Sequence, residues 1–387
     1  MEKYHKTDIC PIENENERDE NYVGSNTCID SSRTKNNYRL LFRNSSYTDF
    51  INERIKELNL PKAPRKDAVL VGQEELYWKN AIIPRMYDGD ENYEIKSLIN
   101  KLIQYKRYST IINLLWNAEI FSIISENEMM EILSQAAKVS CIDKLDIYAT
   151  QEIIKKLQNS LKSDKEKLSN IEFMYLPWLD EHSGHIPRAL KTKIANNPEF
   201  FCEIIGLYYK RRNDETPHEP LDKALGERLF QLLYQFDIVP GMDWHGIFHP
   251  EKFKEWVEYT LKWATENDRS EVLQQTIGSG LSYAPKNEDG IIHECLMEVL
   301  DAKENEHMRK GYMTGIYNQR GVHFIDPEGK PEIELSSKYN VMADKVEEKG
   351  YSRFSGTLRK IADNYLREAE ENIMTYKNDA NIEGADN

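Results

Sequence analysis

Two histidines four residues apart are the sharpest candidates for chemistry in this sequence. His245 and His249 have the spacing that lets one helix present two imidazoles to a zinc ion. Gly246, however, stands where the zinc-protease pattern requires a glutamate, and Pro250 favours a helix that begins just after His249. Two interpretations stay open: a metal site at His245 and His249, or a structured loop that caps the following helix.

A second histidine pair, His182 and His185, lies earlier in the chain. It would add two ligands only if the fold brought it beside His245 and His249. The alternative is a pair of exposed loop histidines without a metal.

The segment around Arg320 is the best candidate for a binding role without catalysis. Gly321 permits a positive φ angle, so a tight turn can follow Arg320 and direct its guanidinium toward a carboxylate or a phosphate. The alternative is an arginine that ties neighbouring helix ends together through Glu332 or Glu334. The predicted partner-binding residues are Tyr317, Asn318, Arg320 and Trp178.

The sequence lacks the common catalytic patterns. It contains no GxxxxGK[ST] phosphate loop, no GxSxG nucleophile elbow and no GxGxxG segment after a strand. Adjacent acids such as Glu74 and Glu75 point in different directions on a helix and make poor acid–base couples. We therefore predict no catalytic residues and no cofactor.

The charge balance narrows the classes of partner. The chain of 387 residues has 51 Lys and Arg against 66 Asp and Glu, a net charge of −15. Such a surface repels phosphates, so general binding of nucleic acid or of anionic membranes is disfavoured. A local basic patch at Lys210, Arg211 and Arg212 leaves nucleic-acid binding as an alternative, although cations also suit the C-terminal end of the preceding helix.

Cysteine usage and hydropathy predict a cytoplasmic protein. The five cysteines are scattered without a CxxC pair, which is typical of unpaired thiols in a reducing compartment. Three of them (Cys141, Cys202 and Cys295) lie in apolar stretches and are predicted to be core residues. No apolar run approaches the roughly 20 residues of a membrane span, and no signal-peptide pattern begins the chain.

Amphipathic helical stripes run along most of the chain. Apolar residues recur at helical spacing with charged residues between them, and each stripe must be buried against a neighbouring helix. Strand-like alternation is confined to Ala68–Val71 and Gly321–Ile325. We predict an all-α fold, an irregular helical-hairpin array or α-solenoid with little or no β structure. The clearest stripes are Ile95, Leu98, Ile99, Leu102 and Ile103; Phe253, Trp256, Val257, Thr260, Leu261 and Ala264; and Leu358, Ile361, Ala362, Tyr365, Leu366 and Ala369.

Composition divides the chain into four segments. Residues 1–45 are rich in Asn and acids, and predict a disordered polar arm. A first helical region spans 46–212 and a second spans 221–376, with a hinge at 213–220. Residues 377–387 predict a disordered tail.

Several short stretches between residues 174 and 372 occur in a characteristic order and spacing. They are 175–179, 186–190, 197–201, 316–322 and 357–362, with Tyr365, Glu368 and Ala369. Together they resemble the C-terminal helical region of a class of large, mostly uncharacterised bacterial multidomain proteins. The family usually has a glycine pair and a Glu-Arg step after the Arg-Gly-Val element, whereas this chain has Pro327–Lys330 and Glu332 there.

In that family, such helical regions accompany ATPase, nuclease-like or helix-turn-helix modules. The resemblance therefore implies a sensor or scaffold region whose effector is missing or is supplied by another protein. We predict a non-enzymatic helical protein that binds a protein partner, such as an ATPase or nuclease effector, through a helical surface. The metal site at His245 and His249 and the basic patch are the alternative functions, and the oligomeric state stays open.

Overall fold

The computed structural model describes residues 92–116, 118–139, 146–179, 183–211, 221–234, 236–323 and 325–385. Within these ranges the chain forms 15 α-helices and two short 3-10 helices, and no strand. The all-α prediction is confirmed. The polar arm at 1–45, the hinge at 213–220 and the strand candidate Ala68–Val71 lie outside the described residues.

The chain divides into two compact units, with the division between Ala189 and Leu190. In the first unit the described helices are α1 (Asn92–Gln104), α2 (Tyr108–Leu115), α3 (Ala118–Ile123), α4 (Glu126–Val139), α5 (Ile147–Asn159) and α6 (Lys165–Met174), followed by a 3-10 turn at Leu176–Trp178. The predicted stripe of α1 faces the core, because Ile95, Leu98, Ile99 and Leu102 are buried.

Polar residues fix the beginnings of these helices. The spacing of Ser125 and Glu128 predicts a capping box, and the two residues form one before α4, in which each side chain accepts the backbone N–H of the other residue. The Asp146 carboxylate accepts the N–H of Ala149 at the start of α5. Such caps satisfy backbone donors that the helix itself leaves free.

The division falls inside α7 (Arg188–Asn196), and the remaining helices belong to the second unit. They are α8 (Pro198–Tyr208), α9 (Lys223–Tyr234), α10 (Pro250–Glu266), α11 (Ser270–Leu281), α12 (Glu294–Asp301), α13 (Glu306–Arg320), α14 (Lys330–Glu348) and α15 (Ser352–Ala385), with a 3-10 turn at Lys303–Asn305.

Asn197 before Pro198 is typical of an N-cap, and its side chain accepts the N–H of Phe200 where α8 begins. The spacing of Asp268 and Glu271 predicts a capping box, and this prediction is wrong. Asp268 has a positive φ of 55°, and the N-cap of α11 is Arg269. The Arg269 side chain instead donates to the carbonyls of Tyr209 and Gly206 at the end of α8.

Glycines bring α11 and α13 into close backbone contact. A Cβ atom at Gly278 would lie 1.9 Å from the carbonyl oxygen of Met308, and one at Gly311 would lie 2.0 Å from that of Gln275. Gly315 is equally restricted by Ser279 and Ser282. Only glycine permits this separation, so the position of α13 depends on these residues.

The two last helices form a hairpin around a turn at Gly350, whose φ is 93°. The predicted stripe of α15 is confirmed at Leu358, Ile361, Ala362, Tyr365 and Ala369, all of which are buried, but Leu366 is exposed. The backbone of α15 continues to Ala385, into the segment from 377 that we predicted as a tail. None of the helices described is at once long and apolar enough to cross a membrane.

Candidate functional site

A charge cluster around the buried Glu332 joins α13, α14 and α15. The Arg320 guanidinium donates from Nη1 to Glu368 Oε1 at 2.8 Å and from Nη2 to Glu332 Oε1. Glu332 is 0% exposed, Arg320 13% and Glu368 38%. His323 lies beside them, with its Nε2 3.6 Å from Glu368 Oε1. We call Arg320, His323, Glu332 and Glu368 the α13–α15 junction.

The loop between α13 and α14 positions these residues with a glycine at each end. Gly321 ends α13 with a φ of 59°, as predicted, and its N–H bonds the carbonyl of Asn318. Gly329 precedes α14 with a φ of 62°, and a Cβ there would lie 2.9 Å from that of Ala369. Both ends of the loop therefore need a residue without a side chain.

Three tyrosines pack beneath the guanidinium. Tyr365 has its ring centroid 5.3 Å from that of Tyr317 and 5.8 Å from that of Tyr339, and the Arg320 guanidinium lies 5.6 Å from it. Burial raises the pKa of Tyr365 to about 12 and also raises the pKa of Tyr317 and Tyr339. The rings are therefore neutral, and they act as packing and cation–π partners of Arg320.

This geometry agrees with the interpretation of Arg320 as a residue that ties helix ends together. Its link to Glu332 is present as predicted for an arginine that ties helix ends together, whereas Glu334 is exposed. The sequence did not indicate Glu368 as a partner of Arg320, because the two residues are 48 positions apart. The sequence also gives no sign that His323 belongs to this group. The stretches around 316–322 and 357–369 that carry the family resemblance thus lie against each other.

The other predicted binding residues differ in exposure. Tyr317 is half-buried, and its hydroxyl accepts a hydrogen bond from Asn364 Nδ2 at 2.9 Å. Asn318 is exposed. Trp178 belongs to the first unit, where it is half-buried, lies 5.5 Å from the ring of Tyr175 and accepts a hydrogen bond from Gln151 on its carbonyl.

His245 and His249 lie in a compact loop at 241–249, which we call the Asp243 loop. Asp243 Oδ1 accepts the N–H groups of His245 and Ile247, and Asp243 Oδ2 lies 3.0 Å from His249 Nε2. These contacts lower the pKa of Asp243 to about 2, chiefly through the hydrogen bond with His249. His249 occupies the N-cap of α10, where the structured-loop interpretation placed it.

Neither histidine of this loop belongs to a three-ligand group. Among the residues that the structure describes, only His323, Glu332 and Glu368 combine three His, Cys, Asp or Glu side chains with ligand atoms within 4.8 Å of one another. His185 is bonded within the first unit, to the carbonyl of Ser183 and to Glu152, and His182 lies outside the described residues.

The basic patch and the thiols offer little further chemistry. Lys210 and Arg211 are exposed after α8, whereas Arg212 is outside the described residues. Cys202 and Cys295 are buried as predicted, and burial raises their pKa to about 12 and about 11. Both thiols are protonated near neutral pH and are weak nucleophiles. Cys141 lies outside the described residues.

Comparisons of this chain with protein-family models, with curated proteins and with solved structures found no match. The family resemblance stays a prediction. The function must be argued from the residues themselves.

Proposed function

We propose that this chain is a non-enzymatic helical scaffold that binds a protein partner through the loop between α13 and α14. The observation that supports this most is the exposure of apolar side chains on a loop with a fixed base. Val322 is fully exposed and Ile325 is 60% exposed. We call Asn318, Val322, His323 and Ile325 the loop surface.

The base of the loop favours binding because little conformational freedom is left to lose there. Arg320 and Glu332 hold the ends of α13 and α14 together, and Gly329 lies against Ala369 of α15. Ordering a flexible loop opposes association, so a loop with fixed ends binds more tightly than a free one. In this proposal Arg320 and Tyr317 support the surface from beneath, and Asn318 contacts the partner directly.

The charge around the loop surface favours a basic partner. Asp326 follows the apolar tip and Glu334 is exposed in the first turns of α14, whereas Lys330 is paired with Glu328 at 2.5 Å. The whole chain carries a net charge of −15. A protein with an apolar pocket rimmed by Lys or Arg would complement this surface. The family resemblance implies an ATPase or nuclease effector as this partner.

Site-specific photo-crosslinking tests the proposal directly. A photoreactive amino acid at position 322 is compared with the same group at Leu161, which is equally exposed but lies in the first unit. Cells of the native host are irradiated, and adducts are identified by mass spectrometry. The expected result is one stoichiometric adduct from position 322 that is absent from position 161. Binding to the purified partner then weakens at least about tenfold in V322D, and does not change in L161D.

Two results would overturn the proposal. One is an identical crosslinking pattern at both positions. The other is a V322D/I325D variant that binds the identified partner as the wild type does. If the affinity for the partner rose with salt concentration, only the expectation of a basic partner would be contradicted.

A further inference from the structure

His323, Glu332 and Glu368 bring three potential metal ligands from three elements into one place. His323 lies in the loop after α13, Glu332 in the first turn of α14 and Glu368 in the middle of α15. Their ligand atoms all lie within 4.8 Å of one another. Two ligand atoms about 2.1 Å from a tetrahedral ion lie about 3.4 Å apart. The observed 3.6 Å between His323 Nε2 and Glu368 Oε1 is close to that separation.

The imidazole of His323 is oriented as in metal sites. Its Nδ1 lies 3.1 Å from the carbonyl oxygen of Gly321. A carbonyl can only accept a hydrogen bond, so Nδ1 donates to it, and Nε2 is the nitrogen that can coordinate an ion on the side of Glu368. Metal-bound histidines commonly donate their second ring N–H to a backbone carbonyl in this way, which fixes the tautomer and the ring.

Glu332 supplies an independent observation. The residue is completely buried, Arg320 binds its Oε1, and its Oε2 has no hydrogen-bond partner. Leaving a charged carboxylate oxygen buried without a partner is costly. Coordination of a cation by Oε2 would satisfy it.

Arg320 orients both carboxylates by binding Oε1 of each. Two carboxylates and one guanidinium leave one net negative charge, which attracts a cation. The nearby guanidinium also repels it, so we expect weaker binding than that of closed structural zinc sites.

We propose that His323, Glu332 and Glu368 bind one divalent transition-metal ion, such as Zn²⁺ or Mn²⁺, which joins the α13–α14 loop to α14 and α15. One imidazole nitrogen with two carboxylates suits these ions better than Ca²⁺, which takes six to eight oxygen ligands. The site differs from the one that the sequence indicated at His245 and His249, and it does not depend on the proposed partner.

Calorimetric titration of the untagged full-length chain with ZnCl₂ and with MnCl₂, after treatment with a chelator and its removal, tests the proposal. We expect one ion per chain. Removing a direct ligand in H323Q or E368Q should weaken binding by more than the 10–100-fold typical of lost second-shell contacts. His323 and Glu368 are both partly exposed, so these variants are expected to fold. Glu370→Gln changes an exposed acid of the same helix and should bind as the wild type does.

The variants H245A and H249A separate the two candidate sites. Unchanged metal binding in both variants supports the site at the α13–α15 junction. Loss of metal binding in either variant places the ion in the Asp243 loop and overturns the proposal. It is also overturned if the wild type binds neither ion, or if H323Q and E368Q both bind with wild-type affinity. The absorption spectrum of bound Co²⁺ gives a second readout, since it should change in H323Q when a nitrogen ligand is lost.

Discussion

The α13–α15 junction and the Asp243 loop both combine histidine with carboxylate in the second unit, and they are built in opposite ways. In the Asp243 loop, every hydrogen bond to Asp243 comes from within the next six residues. At the α13–α15 junction, Arg320 reaches Glu332 and Glu368 on two other helices. The first cluster shapes one turn of chain, whereas the second holds three helices together.

The two clusters also differ in their access to water. Asp243 and His249 keep 24% and 38% of their side chains exposed, whereas Glu332 keeps none. Water competes for partly exposed pairs, so they contribute little to stability. Removing one partner of a buried pair leaves a charge without compensation. The junction should therefore control the stability of the unit, while the loop should act only locally.

The largest expected effect follows from breaking the junction. Replacing Arg320 with Met leaves the Glu332 charge buried and unpaired, and should lower the free energy of unfolding by about 3–5 kcal/mol. H249Q removes the corresponding partner in the Asp243 loop and should have a much smaller effect. Urea unfolding in the presence of a chelator measures both, so that a bound ion does not contribute.

A second substitution shows which carboxylate causes the loss of stability in R320M. R320M/E332M removes the buried charge together with its partner, and should recover most of the lost stability. R320M/E368M should recover less, because Glu368 is 38% exposed and can be hydrated. Equal stability of R320M and of R320M/E332M would contradict the burial argument.

A somewhat smaller effect is expected from moving α13, which carries Arg320. In Gly311→Ala the new methyl group would meet the carbonyl oxygen of Gln275 at 2.0 Å, so α11 and α13 must separate. Overpacking of this kind costs about 1–3 kcal/mol. The same variant should also weaken the junction, while the Asp243 loop keeps its local hydrogen bonds. Denaturant unfolding measures the loss of stability, and amide exchange at Ile247 shows whether the Asp243 loop keeps its hydrogen bonds.

Gly356 provides a matched control in α15. Apart from its chain neighbours and the nearby backbone of α15 itself, no atom of the described residues lies within 4 Å of a Cβ built at this glycine. Gly356→Ala should therefore stabilise the protein by up to about 1 kcal/mol, because alanine has the higher helix propensity. If both alanine variants changed stability in the same direction, close packing of α11 on α13 would not be what restricts Gly311.

The sequence predicted the structural features that depend on residues close together in the chain. Periodicity predicted the buried faces of α1, α10 and α15, and local chemistry predicted the caps at Ser125 and Asn197. It failed at Asp268, where the chain takes a positive φ and Arg269 becomes the N-cap. It could not assign Glu368 to Arg320, because helical spacing places a residue on a face without specifying which helix covers that face.

The smallest expected effect concerns the pH dependence of the Asp243 loop. The pKa of Asp243 is lower in the folded protein, about 2, than the ordinary value of 3.8. The ionised carboxylate therefore favours the folded loop above pH 3.8, and this contribution disappears as the pH falls toward about 2. D243N lacks it at every pH. The melting temperatures of wild type and D243N should therefore differ most near neutral pH and converge in acid. Parallel curves over the whole range would show that Asp243 is ionised equally easily in the folded and unfolded chain, and that its hydrogen bonds with His245, Ile247 and His249 do not order the loop in solution.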